Sequence, residues 1–122
     1  MIFELLLVGT GGFLGSITRY LIYLWFGARE WISFPWATLV INVLGCLLVG
    51  MIGSLVERSV PYHRHILLMG SVGFLGAFTT FSAFGFETVN LLKNQQILLA
   101  FANVLANLCL GLVAVLLGRS WV

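Results

Sequence analysis

Charged side chains are scarce in this 122-residue sequence: Asp, Glu, Lys and Arg make up 8% of it, against roughly 25% in soluble domains. Hydrophobic residues make up 61%, and the mean hydropathy is +1.09. Such a surface would aggregate in water, whereas in a bilayer it faces lipid. The composition excludes an ordinary soluble fold and predicts a membrane protein with lipid as its surroundings.

Residues that carry enzyme or metal chemistry are also few. The chain has 2 cysteines, 2 histidines and 4 acidic residues, with no recognisable nucleophile–base pair, carboxylate dyad or metal-ligand cluster. Cys46 and Cys109 lie in apolar stretches without a partner at metal-ligand spacing, so we interpret both as reduced packing residues. His63 and His65 belong to a polar loop and are expected to be exposed to solvent. The sequence predicts that the protein is not an enzyme.

Basic residues are scattered along the chain, and the formal net charge is only +2. Nucleic-acid binding requires a clustered basic surface, so nucleic acid is not expected as a partner.

Glu4 stands where a secretory signal would carry Lys or Arg, and the first apolar stretch exceeds the roughly 7–15-residue core of a signal. We interpret this stretch as a retained first helix.

Four apolar stretches have the length of about 20 residues that a helix needs to cross a bilayer. They lie at approximately 5–26, 34–56, 66–92 and 97–118. Short polar connections separate them, and no repeat or low-complexity tract indicates a second domain. The sequence predicts an all-α membrane protein of four transmembrane helices, with 1–122 as one domain and both termini on the same side.

Orientation in a membrane is normally set by an excess of Lys and Arg on the cytoplasmic side. Here the two sides carry equal numbers: Arg58, Arg64 and Arg119 on the side of the termini, and Arg19, Arg29 and Lys93 on the other. Two interpretations stay open. The chain inserts in a single orientation set by its N-terminus, or it inserts in both orientations, which permits an antiparallel homodimer.

Glycine is abundant, with 14 residues, and helices in lipid associate through small residues that let backbones approach. The first span carries Gly9, Gly12 and Ser16 near one face, with Gly11 and Gly15 at GxxxG spacing beside them. The second span carries Gly45, Gly50 and Gly53. Close packing between helices is expected to explain most of these glycines.

The third span concentrates glycines and hydroxyl side chains over 70–82, which predicts a break in this helix near mid-membrane. Non-helical backbone at that depth survives only where it is buried in protein or lines a wet cavity. Its freed carbonyls could coordinate a cation, and the N-terminus of the following half-helix could attract an anion. A glycine-rich packing kink is the alternative interpretation.

Polar side chains within the spans are expected to face the bundle interior or a pathway. Arg19 is the one formal charge deep in the first half of the chain. Thr38 and Asn42 are four residues apart, as are Asn103 and Asn107, so each pair lies on one face of its helix. The two pairs either face a common path or form interhelical hydrogen bonds, and both interpretations stay open.

Transport is the function class that these polar groups favour. Amides, hydroxyls and one guanidinium donate hydrogen bonds, which suits an anion. Aromatic rings follow at helical spacing in the third span: Phe74, Phe78, Phe81 and then Phe84. Their positive edges could hold a small dehydrated anion, although an ordinary packing stripe has the same spacing. Glu87 either faces the pore mouth or pairs with a cation such as Lys93.

Three stretches together resemble the fluoride channel family called Fluc or CrcB: GGFLGSITRY at 11–20, ATLVINVLG at 37–45 and GFLGAFTTFSAF at 73–84. The third is highly specific, and the similarity extends over all four spans, including 103–111 in the last one. The resemblance implies a fluoride-selective channel of the bacterial cytoplasmic (inner) membrane. It further implies a dual-topology antiparallel homodimer with two separate pores.

The resemblance also implies which residues form the fluoride pathway. Phe81 and Phe84 match the paired phenylalanines that line the pores, and Asn42 matches the asparagine that contacts the ion path. Arg19 matches the first-helix arginine near a vestibule. The other positions of the implied pathway are Thr38, Thr80, Ser82, Glu87, Asn103 and Asn107.

A structural sodium ion is implied by the same resemblance. Gly76 and Thr79 match the break whose backbone carbonyls, from both subunits, hold Na⁺ at the dimer centre. The chain departs from the family's common residues at Ala37 and Ala77 (glycine), Ala83 (threonine) and Asn107 (serine). The last two departures leave the details of the ion's ligands open, although an amide donates hydrogen bonds as a hydroxyl does.

The implied mechanism is passive conduction of fluoride out of the cell, driven by the membrane potential. The main alternative is a small multidrug-resistance-type proton-coupled exporter, which also has four helices but needs an embedded glutamate in the first helix. Here Glu4 lies at the mouth of that helix and the embedded charge is Arg19, which has the wrong sign for a proton-coupled cation exporter. A further alternative is an assembly subunit that transports nothing.

Overall fold

The computed structural model describes residues 1–27, 33–58 and 61–122. The segments of this part of the chain are α1 (Ile2–Gly27), α2 (Trp36–Glu57), α3 (His63–Ile66), a π-helical segment (Leu67–Leu75), α4 (Gly76–Phe78), α5 (Phe81–Lys93) and α6 (Ile97–Trp121). Every regular element within the described residues is helical. The all-α class predicted from the sequence is confirmed.

Four helical stretches are long and apolar enough to cross a membrane: Ile2–Gly27, Trp36–Glu57, His63–Lys93 and Ile97–Trp121. Each overlaps one of the four spans predicted from hydropathy, so the expectation of four membrane-spanning helices is confirmed. The third stretch combines α3, the π-helical segment, α4 and α5. The predicted loop cation Arg29 lies outside the described residues.

α1 packs against the π-helical segment through direct backbone contact. A methyl group added at Gly11 would overlap the Met69 carbonyl oxygen, and one added at Gly15 would overlap that of Phe74. The GxxxG pair therefore provides the close approach that glycine permits in lipid. Gly9 does not take part, because an added methyl group there has no described atom within 4 Å outside its own helix.

α2 packs mainly against α6, again through glycine. Gly50 lies against the Val115 carbonyl and Gly118 against the Leu47 carbonyl. At the end of the bundle that holds the termini, Arg119 forms an ion pair with Glu57 at 2.8 Å. A second pair at 2.7 Å, Arg64 with Glu4, ties α3 to α1. The bundle thus consists of two helix pairs, each closed by one exposed ion pair.

The apolar core lies where the two helix pairs meet. Ile41, Leu75 and Phe78 are its most buried members. Two polar side chains, Thr38 and Asn103, are as completely buried as this core, with 0% exposure. Most other large apolar side chains are exposed, which is the pattern expected of a chain whose surroundings are lipid.

Two residues in the third stretch have extended rather than helical backbone. Thr79 has φ −76° and ψ 156°, and Thr80 has φ −149° and ψ 113°. They separate the last turn of α4 from the first turn of α5 and lie within the glycine- and hydroxyl-rich stretch 70–82. This extended pair positions the residues described next.

Candidate functional site

The extended pair is shaped by its own hydroxyl groups. The Thr79 hydroxyl donates to the Leu75 carbonyl at 2.8 Å, and the Thr79 N–H donates to the same oxygen at 3.0 Å, so this carbonyl ends the helix. The Thr80 hydroxyl then accepts from the Ala83 N–H at 3.1 Å. Threonine favours this role because its side-chain oxygen satisfies one of the N–H groups left unpaired at a helix start.

The Asn42 side chain holds the Thr80 backbone from α2. Its Oδ1 accepts from the Thr80 N–H at 3.0 Å, and its Nδ2 donates to the Thr80 carbonyl at 3.2 Å. This is the exchange of two hydrogen bonds that a neighbouring β-strand would make with an extended residue. The amide thereby satisfies both polar groups of a backbone position that is only 8% exposed.

A series of hydrogen bonds continues from Asn42 to two asparagines of α6 and from there to α5. Asn42 Nδ2 donates to Asn107 Oδ1 at 3.0 Å, and Asn107 Nδ2 donates to the Asn103 carbonyl at 2.9 Å and to Asn103 Oδ1 at 3.0 Å. Asn103 Nδ2 donates to the Thr88 hydroxyl at 2.9 Å. The Thr88 hydroxyl donates to the Phe84 carbonyl at 2.7 Å. The polar residues of α2 and α6 therefore form interhelical hydrogen bonds, one of the two interpretations left open above.

The aromatic residues divide into two pairs at the extended backbone. Phe74 and Phe78 stack with centroids 5.5 Å apart, and Phe78 is buried in the core at 2% exposure. Phe81 and Phe84 form a separate tilted pair with centroids 5.6 Å apart. The helical spacing of the four phenylalanines suggested a single aromatic stripe on one helix face. This prediction is wrong, because the extended backbone of Thr79 and Thr80 interrupts the helix between Phe78 and Phe81.

Arg19 reaches the extended pair from α1. Its Nη1 donates to the Thr79 carbonyl at 3.4 Å. Arg19 also lines an open cavity of about 380 Å³, whose wall includes Tyr23, Thr80, Ser82, Phe86 and Glu87. The cavity begins at the first turn of α5, and the Ser82 hydroxyl is within 3.3 Å of the Thr80 hydroxyl there. One guanidinium and several hydroxyl groups thus face the same space.

Tyr23, Thr38 and Glu87 form a chain at the far side of this cavity. The Thr38 hydroxyl lies 2.7 Å from the Tyr23 hydroxyl and donates to Glu87 Oε1 at 2.7 Å. Since Thr38 has a single hydroxyl proton, Tyr23 is the donor in the first bond. Glu87 Oε2 is buried without a hydrogen-bond partner among the described residues. Glu87 forms no ion pair with Lys93, and it lies in the wall of the cavity that Arg19 also lines. Its position at a pore mouth stays a prediction.

The ends of α4 and α5 differ in charge where they meet. The first N–H groups of a helix have no partner within it, and together they carry a partial positive charge. In α5 these include the N–H groups of Phe81 and Ser82, and Ser82 shares a cavity wall with Arg19. The last carbonyls before the interruption carry the opposite partial charge. The arrangement can attract an anion at the start of α5 and a small cation at the end of α4.

Gly76 and Thr79 lie beside a second open cavity. They share its wall with Asn42, Gly45, Ser71 and Phe81, among others. The Thr80 N–H, which would normally donate to the Gly76 carbonyl four residues earlier, donates to Asn42 instead. The Gly76 carbonyl is therefore freed from its usual helical partner. Gly45 lies directly against the Thr79 side chain, which leaves no room for a larger residue in α2.

The structure connects the ten predicted pathway residues by hydrogen bonds, by a ring pair or through shared cavity walls: Arg19, Thr38, Asn42, Thr80, Phe81, Ser82, Phe84, Glu87, Asn103 and Asn107. Two contributors were not predicted, namely Tyr23 and Thr88. Each lies one helical turn beyond a predicted residue, Tyr23 after Arg19 and Thr88 after Phe84. That spacing is the only signal of their involvement in the sequence.

Comparison with known proteins gives a consistent result. The family model described as CrcB-like protein, Camphor Resistance (CrcB), matches residues 6–119. A protein of Dehalococcoides mccartyi strain BAV1, named Fluoride-specific ion channel FluC, is 42% identical over 115 residues, which cover 94% of this chain and 88% of the relative. A protein of the same name from Rhizobium meliloti strain 1021 is 38% identical over 117 residues, 96% of this chain and 94% of the relative.

Proposed function

Because the chain belongs to the CrcB family, whose relatives above are named fluoride-specific ion channels, we propose that it conducts fluoride passively along the start of α5. The family is one of channels rather than enzymes. With four membrane-spanning helices, the chain is a multi-pass integral membrane protein, which in bacteria lies in the inner membrane.

One observation carries the path: the start of α5 adjoins two open cavities, one lined by Arg19 and Ser82 and the other by Asn42 and Phe81, and Phe81 pairs with Phe84. Fluoride is small and strongly hydrated, so a path must replace part of its water. N–H groups at the helix start, the Ser82 hydroxyl and the guanidinium supply donors. The positive edges of the two rings supply further contacts to a partly dehydrated ion. The wall of the cavity that Arg19 lines contains one carboxyl group, Glu87, which accepts a hydrogen bond from Thr38. The donors at the start of α5 outnumber it, which favours an anion over a cation.

We further propose that Thr79 and Thr80 form the functional break of the third transmembrane helix, near mid-membrane. Non-helical backbone at that depth requires internal partners. Asn42 and Arg19 supply them to the Thr80 peptide and to the Thr79 carbonyl, respectively. The break places the negative end of α4 next to the positive end of α5, so it could serve two ions of opposite sign.

A structural sodium ion at the Gly76 and Thr79 carbonyls fits the groups present. The Gly76 carbonyl lacks its usual helical donor, and the Thr79 carbonyl has a second lone pair besides the one facing Arg19. Both residues line one open cavity. Two carbonyls from one chain are few for a small hard cation, so carbonyls of a second copy would complete the site. The ion would hold two chains together at this cavity.

The proposed assembly is a dual-topology antiparallel homodimer with two pores. Two observations support it. Phe81 is 83% exposed and lines an open cavity, so a single chain leaves its proposed pathway uncovered. The sequence carries equal numbers of basic residues on the two predicted sides of the membrane, which removes the usual bias toward one orientation. A second copy in the opposite orientation would cover the cavity and present the same residues again.

Growth under fluoride stress tests the proposal in cells. A bacterial strain without its own fluoride export should grow in millimolar fluoride when it expresses this chain, and an empty vector should give no growth. The rival function, proton-coupled drug export, predicts protection against quaternary ammonium compounds instead. Protection against those compounds without protection against fluoride would overturn the proposal in favour of the exporter.

A further inference from the structure

Asn107 Oδ1 of α6 accepts a hydrogen bond from the same Asn42 nitrogen that donates to the Thr80 carbonyl. We propose that Asn107 is a positioning residue of the fluoride pathway, which acts through Asn42 by keeping that amide on the extended Thr80 peptide, and that it does not bind the ion. The inference rests on the proposed function, because it assigns a role within that pathway. It differs from the expectation that Asn107 lines the ion's path directly.

The direction of each hydrogen bond follows from one backbone group. The Thr80 N–H can only donate, so the atom that faces it on Asn42 is Oδ1, and Nδ2 must face the Thr80 carbonyl and Asn107. Asn107 therefore presents Oδ1 to Asn42 and Nδ2 to Asn103. Reversing any one amide would oppose two donors or two acceptors. All the hydrogen bonds between Thr80 and α6 therefore have one possible donor–acceptor direction.

The side-chain donors of Asn42 and Asn107 are engaged within the protein. Asn42 Nδ2 has two N–H groups and two acceptors, the Thr80 carbonyl at 3.2 Å and Asn107 Oδ1 at 3.0 Å. Asn107 Nδ2 likewise has two acceptors, both on Asn103, at 2.9 and 3.0 Å. An ion could be bound by Asn107 only if one of these bonds broke. Its amide is thus committed to holding other side chains.

The chain of hydrogen bonds starts and ends on the segment that carries the aromatic pair. It leaves that segment at Thr80, directly before Phe81, and returns through Asn103 and Thr88 to the Phe84 carbonyl. Asn103 is completely buried, so water cannot replace a lost partner there. Removing the Asn107 amide would leave Asn42 free to turn away from Thr80, and the first turn of α5 would lose its fixed position.

A double-mutant cycle on fluoride efflux from liposomes tests the proposal. We expect Asn42→Ala and Asn107→Ala each to slow fluoride efflux by roughly tenfold or more, measured only in the liposomes that release fluoride. The double variant should be no slower than Asn42→Ala alone, within about twofold. If the effects of the two single variants multiply, Asn107 contacts the ion independently and the proposal is overturned. Thr18→Val, a change at an exposed hydroxyl on α1, is the control and should leave efflux unchanged.

Two further readouts separate positioning from a loss of folded protein. Instability lowers the fraction of liposomes that release fluoride, whereas loss of positioning lowers the rate in those that do. Hydrogen exchange at the Thr80 N–H should accelerate by about tenfold or more in Asn107→Ala and in the similarly sized Asn107→Leu. Unchanged exchange in a folded variant contradicts the proposal. If the unmodified chain releases no fluoride, the proposed function fails, while the exchange measurement still decides whether Asn107 positions Asn42.

Discussion

The rings of Phe81 and Phe84 lie 5.6 Å apart at an interplanar angle of 45°, and they face different surroundings. Phe81 is 83% exposed, whereas Phe84 is partly buried. Both lie on the first turn of α5, directly after the extended Thr80. The pair therefore combines one ring fixed within the bundle with one that only a second molecule or lipid can cover.

Replacing either ring should impair conduction. Phe81→Ile and Phe84→Ile keep the side chains apolar but remove the positive ring edges, so each should slow fluoride efflux from liposomes by about tenfold or more. Phe101→Ile is a matched control, because Phe101 is 63% exposed on α6 and contacts neither ring. Normal efflux in both α5 variants would exclude the aromatic pair from the pathway.

The Tyr23 hydroxyl should matter although the family resemblance did not point to it. Tyr23→Phe removes the donor to Thr38, so the Thr38 hydroxyl can turn away from Glu87. Loss of one hydrogen bond of about 1 kcal/mol predicts a roughly fivefold slower fluoride efflux. Tyr20→Phe, on the exposed face of the same helix, should have no effect. Equal efflux in the two variants would mean that the Tyr23 bond has no part in conduction.

Glycine positions on α1 should differ sharply in their tolerance to a methyl group. Gly15→Ala forces α1 away from the Phe74 carbonyl and should destabilise the folded chain by about 1–3 kcal/mol. Gly9→Ala meets open space and should be neutral or stabilise the helix by up to about 1 kcal/mol. Denaturant unfolding in detergent measures both changes. Comparable stabilities for the two variants would contradict the packing described for α1.

Removal of sodium should weaken the assembly. In sodium-free buffer with a bulky organic cation, the proposed dimer should have a higher dissociation constant than in sodium. Without the cation, the carbonyls of Gly76 and Thr79 from the two chains would face each other and repel. Size-exclusion chromatography in detergent measures this change, and addition of sodium should reverse it. A dimer that is equally stable after exhaustive sodium removal would argue against the structural ion.

The four membrane-spanning helices were predictable because hydropathy and length are local properties of the sequence. Helix pairing was not, because GxxxG spacing indicates a close contact without indicating its partner. Gly11 and Gly15 could be chosen over Gly9 only once the Met69 and Phe74 carbonyls were located. The stretch 70–82 was predicted to interrupt the third helix, and the extended Thr79 and Thr80 lie within it. The depth of this interruption in the membrane stays a prediction.

Partners of the polar residues could not be derived from the sequence either. The spacing of Asn42 and Asn107 gave the helix face but not the bond between the two side chains, which depends on how α2 and α6 pack. Glu87 was considered for an ion pair with Lys93, whereas its partner is Thr38 from another helix. Such contacts are long-range, and a single sequence carries no direct record of them.

Ion release from liposomes that contain only this protein tests most directly whether the protein is a fluoride-selective channel. Liposomes loaded with equal concentrations of fluoride and chloride are supplied with a potassium ionophore to balance charge, and two ion-selective electrodes follow the two anions. Rapid release of fluoride is expected, with retention of chloride until detergent is added. Release of both anions at similar rates, or retention of fluoride, would contradict this expectation.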